Sequence, residues 1–206
     1  MTEPIVLHEY SASGNCYKVR LTAALAGKHI ERREYDIMRG ETRTPEFVAN
    51  VNSNGRIPVL QVGERFIPES NAAAYYVAEG SSLIPAEPFN HADMLRWMLW
   101  EQYSHEPNIA TLRFWIGWVG LDNLTDLQRL QMPAKRQAGT AALKLMDEHL
   151  GGREWFVGDA LSLADVCLFA YTHVAGDAEF DLERYPHVVE WIERLKGDPR
   201  YIPLDA

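Results

Sequence analysis

YSASGNCYKVR, residues 10–20, joins a short β-prone run to an Ala/Leu-rich one, and its reading decides the fold. The run before it, IVLHEY (5–10), is apolar and suits a strand. After it, Cys16, Val19, Ala23 and Ala26 recur at helical spacing and Gly27 supplies a stop. Where a strand ends and a helix begins, free backbone N–H groups and the positive end of the helix dipole meet at one spot. Ser13 and Cys16 stand there with S-x-x-C spacing. A thiolate at that spot is stabilised: lowering a thiol of pKa ~8.5 by about two units is worth roughly 2.7 kcal/mol. A serine hydroxyl donating to the sulfur adds to this. The same four residues also read as a plain serine cap on an ordinary helix, so the neighbouring segments must decide.

Working outward, IERREYDI (30–37) alternates like a strand. Thr44 and Pro45 read as N-cap and first helical position. IPVLQV and RFIPES, split by Gly63–Glu64, read as a hairpin, and ESNAAAYYVAEG as a helix that Gly80 stops. The order β-α-β-α-β-β-α predicts one α/β layer structure with a mixed sheet. In SNGRIPVL (53–60), Pro58 opens a strand without a donor of its own. With a cis bond there, Ile57 turns its N–H and C=O outward, and an extended peptide can pair with it as an added strand; the alternative is an edge proline with nothing bound. In PESNA (68–72), Glu69 and Ser70 meet a helix N-terminus. Its amides suit a carboxylate and Glu69 suits an ammonium, or the pair is simply an acidic cap.

The Pro- and Ser-rich stretch 81–89 is expected to be a linker, between a first domain over 1–80 and a second over 90–206. Beyond it every strong pattern is helical. Leu163, Val166, Cys167, Ala170, Tyr171 and Val174 form an apolar series, with Ser162 and Asp165 as a capping box before it. Over 206 residues, 47% hydrophobic content supports a sizeable core. A net charge of −9 argues against nucleic-acid or anionic-membrane partners. Two cysteines and no visible leader or membrane span suggest a soluble cytoplasmic protein. The seven histidines form no pair or Cys/His cluster of ligand spacing, so no metal is expected.

SGNCYKVRLTAALAGKHI, NSNGRIPVL and PESNAAAYYVAE, with SLIPAEP and WFVGDALSLADV, resemble the cytosolic glutathione transferases over nearly the whole chain. The resemblance implies a thioredoxin-like domain followed by an all-helical domain, usually in a homodimer. It implies glutathione as co-substrate rather than cofactor, and conjugation to an apolar electrophile, a detoxification chemistry. Ser13 falls at the thiol-activating serine of the serine-type classes, and Asn15 matches the S-x-N spacing of one of them. Ile57 and Pro58 match the residues that meet the cysteinyl backbone of glutathione, Glu69 and Ser70 those at its γ-glutamyl end, and Arg56 stands near its glycyl end. Tyr10 is out of register for a tyrosine-type enzyme, while Ser11 is a second hydroxyl close to Ser13. In RFWIGWVG and just before it, Tyr103, Phe114, Trp115 and Trp118 either pack a helix interface or line the electrophile's pocket. Two further readings stay open: a glutathione-dependent disulfide or peroxide reductase, and a non-catalytic binding module of the same fold.

Overall fold

The computed structural model describes residues 4–206, which form two compact units. One comprises the described residues through Ile84 together with Pro199–Ala206; the other is Pro85–Asp198.

The first unit runs β1 (Ile5–Glu9), α1 (Gly14–Leu25), β2 (Glu31–Glu34), α2 (Pro45–Asn50), β3 (Val59–Val62), β4 (Arg65–Pro68) and α3 (Ser70–Ala78). The sheet order is β2-β1-β3-β4, with β1 parallel to β2 and the other pairs antiparallel. This mixed sheet is the thioredoxin-like layer that the sequence predicts. Val62 pairs with Arg65 across the expected turn, and Gly63 has the positive φ, 59°, that a tight hairpin needs. Thr44 caps α2 through the Phe47 amide, with Pro45 at the first helical position.

α1 is buried on every side, with Cys16, Tyr17, Val19 and Leu21 fully enclosed. Each such aliphatic side chain contributes roughly 1.5–3 kcal/mol of burial. Lys18 and Arg20 are buried with them, which an amphipathic reading does not anticipate. Lys18 Nζ meets Asn71 Oδ1 of α3 at 3.2 Å. The expected second domain ended at 206; the segment 199–206 instead packs with the first unit. It is held there by polar contacts to α1: Tyr17 Oη donates to the Ile202 carbonyl at 2.6 Å, and Arg200 donates to the Leu25 carbonyl at 2.8 Å.

The second unit is helical: α4 (Pro88–Trp100), α5 (Glu106–Phe114), α6 (Asp126–Leu150), α7 (Leu163–Thr172) and α8 (Pro186–Lys196). π-helical turns at Glu101–His105 and Trp115–Val119 precede and follow α5. The Ser162–Asp165 capping box forms as read. Asp165 is fully buried and accepts from the amides of Phe156 and Ser162, the Ser162 hydroxyl and the Trp191 indole, all within 3.0 Å. α7 is enclosed along its whole length. Gly139 of α6 allows a close approach: a Cβ there would lie 2.4 Å from Phe180 Cζ. Among the described residues, no helix is long and apolar enough to cross a membrane.

Candidate functional site

The end of β1 and the start of α1 meet as the sequence requires. Ser13 has extended backbone and caps α1, its Oγ accepting the Cys16 amide at 3.4 Å. Its own amide donates to the Tyr10 carbonyl at 2.9 Å, which closes the turn over residues 10–13. Cap acceptance uses a lone pair, so the Ser13 hydroxyl retains a proton to donate.

Cys16 lies one turn inward and is fully buried. Burial pushes its thiol up to about 12, against the opposing pull of the Tyr10 amide and the Ser13 hydroxyl beside it. It is a small neutral hydrophobe at neutral pH.

Asn15, in the first turn of α1, accepts from Ser70 Oγ at 3.2 Å. Ser70 is the first residue of α3 and is buried. One hydrogen bond therefore ties together the N-termini of two helices, each a positive dipole end. Glu69 stands just before α3 with φ 72° and ψ 115°, a conformation rarely adopted by residues other than glycine. Its carboxylate makes no cap bond, and it is exposed.

Ile57 precedes Pro58 across a cis bond. Among the described residues, no group pairs with the Ile57 N–H or C=O. Arg56 is exposed, and its carbonyl accepts from Asn52 Nδ2 at 2.9 Å. Ser11 differs from Ser13 in that both its backbone groups are held: its amide by Glu34 Oε1 at 2.7 Å and its carbonyl by Arg20 at 2.6 Å.

In the second unit, Tyr103 and Trp115 part company. Tyr103 is 87% exposed, on a groove of about 350 Å³ that it shares with Trp100, Ser104, Ala138, Ala141 and Leu145. Trp115 is buried beneath the Lys135 ammonium. Trp118 stacks on Phe114 at 6.3 Å and lies under the Arg113 guanidinium. Trp115 thus packs against α6, while Trp118 meets Phe114 and Arg113 within its own helical segment. Among the described residues, no group of three or more His, Cys, Asp or Glu is placed to hold a metal ion.

Sequence reasoning passed over the buried charges Glu9, Lys18 and Arg20. The available signal was three charged residues inside otherwise apolar strand and helix patterns, which only a partner inside the fold can hold.

Residues 5–79 match the family model "Glutathione S-transferase, N-terminal domain", and residues 125–199 match "Glutathione S-transferase, C-terminal domain". The glutathione S-transferase-like protein LUC7 of Fusarium sp is 30% identical over 91% of this chain and 86% of its own length. Elongation factor 1-gamma 3 of Oryza sativa subsp. japonica is 27% identical over 96% of this chain, which spans only 47% of that protein. A crystal structure of a possible glutathione S-transferase from Rhodopseudomonas palustris superposes with a TM-score of 0.92 and is 39% identical, covering 98% of this chain and 90% of that one.

Proposed function

The chain belongs to the glutathione S-transferase family of enzymes, and from that premise we propose that it binds glutathione on its first unit and uses Ser13 to hold the thiol as a thiolate. The observation that carries this reading is the Ser70–Asn15 hydrogen bond, which brings the N-termini of α1 and α3 together. One carboxylate of the tripeptide and its thiolate then face two positive dipole ends. In this reading the γ-glutamyl carboxylate takes the Ser70 amide, while the Ser70 hydroxyl keeps its bond to Asn15 Oδ1, and the Glu69 carboxylate takes the ammonium. The cysteinyl backbone pairs with the open N–H and C=O of Ile57, ahead of Pro58, and Arg56 meets the glycyl carboxylate. The Ser13 hydroxyl donates to the sulfur. A bond to an anionic acceptor is about twice as strong as one to a neutral group, so the hydroxyl favours the glutathione thiolate over the neutral Cys16 thiol. Asn15 fixes the first turn of α1 beneath that sulfur.

The thiolate then attacks an electrophilic carbon of an apolar second substrate. Its electron pair forms the new C–S bond, and the leaving group departs with the pair from the bond it breaks. The second unit supplies apolar and aromatic surface for such a substrate at Tyr103 and its groove. A cytoplasmic setting suits the two buried free thiols, Cys16 and Cys167. A homodimer suits the exposed Leu99, Tyr103, Leu127 and Leu130.

Calorimetry with glutathione and ultraviolet titration of the bound thiolate test the reading. Ser13→Ala is expected to raise the bound thiol's pKa by up to about two units and cut turnover near pH 7 by up to roughly 25-fold, with a smaller effect on affinity. A shift with Ser11→Ala and none with Ser13→Ala moves the activating role by two residues. No binding at millimolar glutathione sinks the proposal. Tight binding without turnover of aryl halide, hydroperoxide or mixed disulfide favours the binding module.

A further inference from the structure

Arg20 is a buried cation on α1, seven residues beyond Ser13, and its guanidinium reaches three separate segments. Its Nε lies 3.2 Å from Glu9 Oε2 at the end of β1. One Nη donates to the Ser11 carbonyl at 2.6 Å and to the Leu204 carbonyl at 2.9 Å; the other donates to the Ala206 carbonyl at 2.9 Å. Glu9, fully buried, is also paired with Arg32 of β2, and Arg32 donates to the Ala206 carbonyl at 2.7 Å. The contacts close a ring: Glu9, Arg20, Ala206, Arg32 and back to Glu9.

We propose that Arg20 is a positioning residue for the turn over residues 11–13, and that the segment 200–206 is a strap whose docking sets that turn through the Arg20 fork. The guanidinium is planar with fixed donor directions, so it cannot follow the tail without moving the Ser11 carbonyl. Ser11 has no slack on its other side, because its amide is held by Glu34. Displacement at Ser11 therefore passes to Ser13, whose amide is bonded within the same turn to Tyr10. A lysine at position 20 would neutralise Glu9 but is a point donor on a flexible stem, and it could not serve the turn and the tail at once. The consequence for chemistry rests on Ser13 acting on glutathione as proposed above; the mechanical coupling does not.

The decisive variant is Arg32→Gln. It removes one of the two donors to the Ala206 carbonyl, leaving Arg20 as the other, from a half-exposed position that touches neither Ser11 nor Ser13. Hydrogen exchange without glutathione reads the coupling. Exchange should accelerate by about tenfold at 200–206 and also by several-fold at the amides of residues 13–16, as for a local opening made easier. A loosened tail with unchanged exchange at 13–16 overturns the inference, whatever the protein does with glutathione. With glutathione bound, Arg32→Gln and Arg20→Lys should both raise the thiol's pKa, by roughly half a unit and one unit, and lower kcat with little change in KM. If Arg20→Lys does not fold, Arg32→Gln decides alone. Coupled exchange with an unmoved thiol pKa rejects the catalytic consequence and keeps the strap, while absence of glutathione binding in the unaltered protein rejects only the activity reading.

Discussion

Glu69 and Glu179 are the two residues other than glycine with positive φ among the described residues, one in each unit. They differ in what holds them. Glu179, at φ 62° and ψ 27°, is in the left-handed helical region and ends a short turn, its amide bonded back to the Gly176 carbonyl. Its carboxylate meets Arg136 at 2.7 Å. Glu69 at ψ 115° lies outside that region, has no cap bond, and leaves its carboxylate in solvent at a helix N-terminus. Backbone held in such sparsely populated regions costs of order 1–3 kcal/mol and persists where surrounding structure imposes it, often at ligand sites. The pair teaches how to read the two units. In the second, the unusual backbone at Glu179 is answered within the chain. In the first, the Glu69 carboxylate makes no cap bond and the Ile57 backbone has no partner among the described residues, as the proposed glutathione site requires.

The sharpest way to break this contrast is Asp165→Ala. It leaves four buried donors without an acceptor and should cost about 3 kcal/mol or more. Thermal unfolding should show a large drop, while calorimetry on the folded protein shows unchanged glutathione affinity. A tenfold loss of affinity would make Asp165 part of the ligand's site.

Acid offers a test of nearly that size. Burial lowers His173 to about 4, with Lys196 and Arg113 adding to it. Burial also lowers His149 in the same unit and His8 in the first, where Arg33 adds to it. As pH falls, the unfolded chain takes up protons on these rings first. Stability is therefore full above pH 6.5 and is lost on the way down towards 4. His173 alone accounts for a loss of up to about 3 kcal/mol. Hydrogen exchange at pH 7 and pH 4.5 should show the second unit losing protection more steeply, and His173→Gln should flatten that loss. Equal losses in both units would contradict it.

The two glutamates themselves give a smaller, paired effect. Glu69→Gly should stabilise the protein by up to about 1 kcal/mol and weaken glutathione binding at least about tenfold. Glu179→Gly should change stability by only a few tenths, since it loses an exposed ion pair and gains an easier turn, and should leave binding alone. Wild-type affinity in Glu69→Gly would remove the ligand from the account of its strain.

Smallest of all is Cys16→Ser, for which transferase turnover should stay close to wild type. With its thiol pushed up to about 12, Cys16 should label on the order of a thousandfold more slowly at pH 8 than an exposed thiol. A stoichiometric glutathione adduct on Cys16 after treatment with oxidised glutathione, with disulfide reductase activity lost in the serine variant, would favour the reductase.

Local rules carried the reading a long way. The Thr44 cap, the turn at Gly63–Glu64 and the Ser162–Asp165 box are legible because each rests on residues within three or four positions of one another. Ser13 and Ser70 were legible as helix starts for the same reason. Strand 2 was read as 30–37 and spans only Glu31–Glu34, because alternation continues past the point where β1 offers a partner. The aromatics from Tyr103 to Trp118 were the least legible. Two π-helical turns shift the 3.6-residue period twice, so side chains that look aligned in sequence face differently.

The sequence by itself determined where several helices and the hairpin begin, which hydroxyls stand at the helix N-termini, and the family to which those motifs point. It did so because caps, turns and apolar periods are short-range properties of the chain. Only the tertiary structure decided that Asn15 meets Ser70 across 55 positions, that Cys16 is sealed from solvent, and that Arg20 joins the turn beside Ser13 to a segment 184 positions further on. Those pairings depend on which buried charges and open backbone groups find each other when the sheet closes, and no local pattern carries that information.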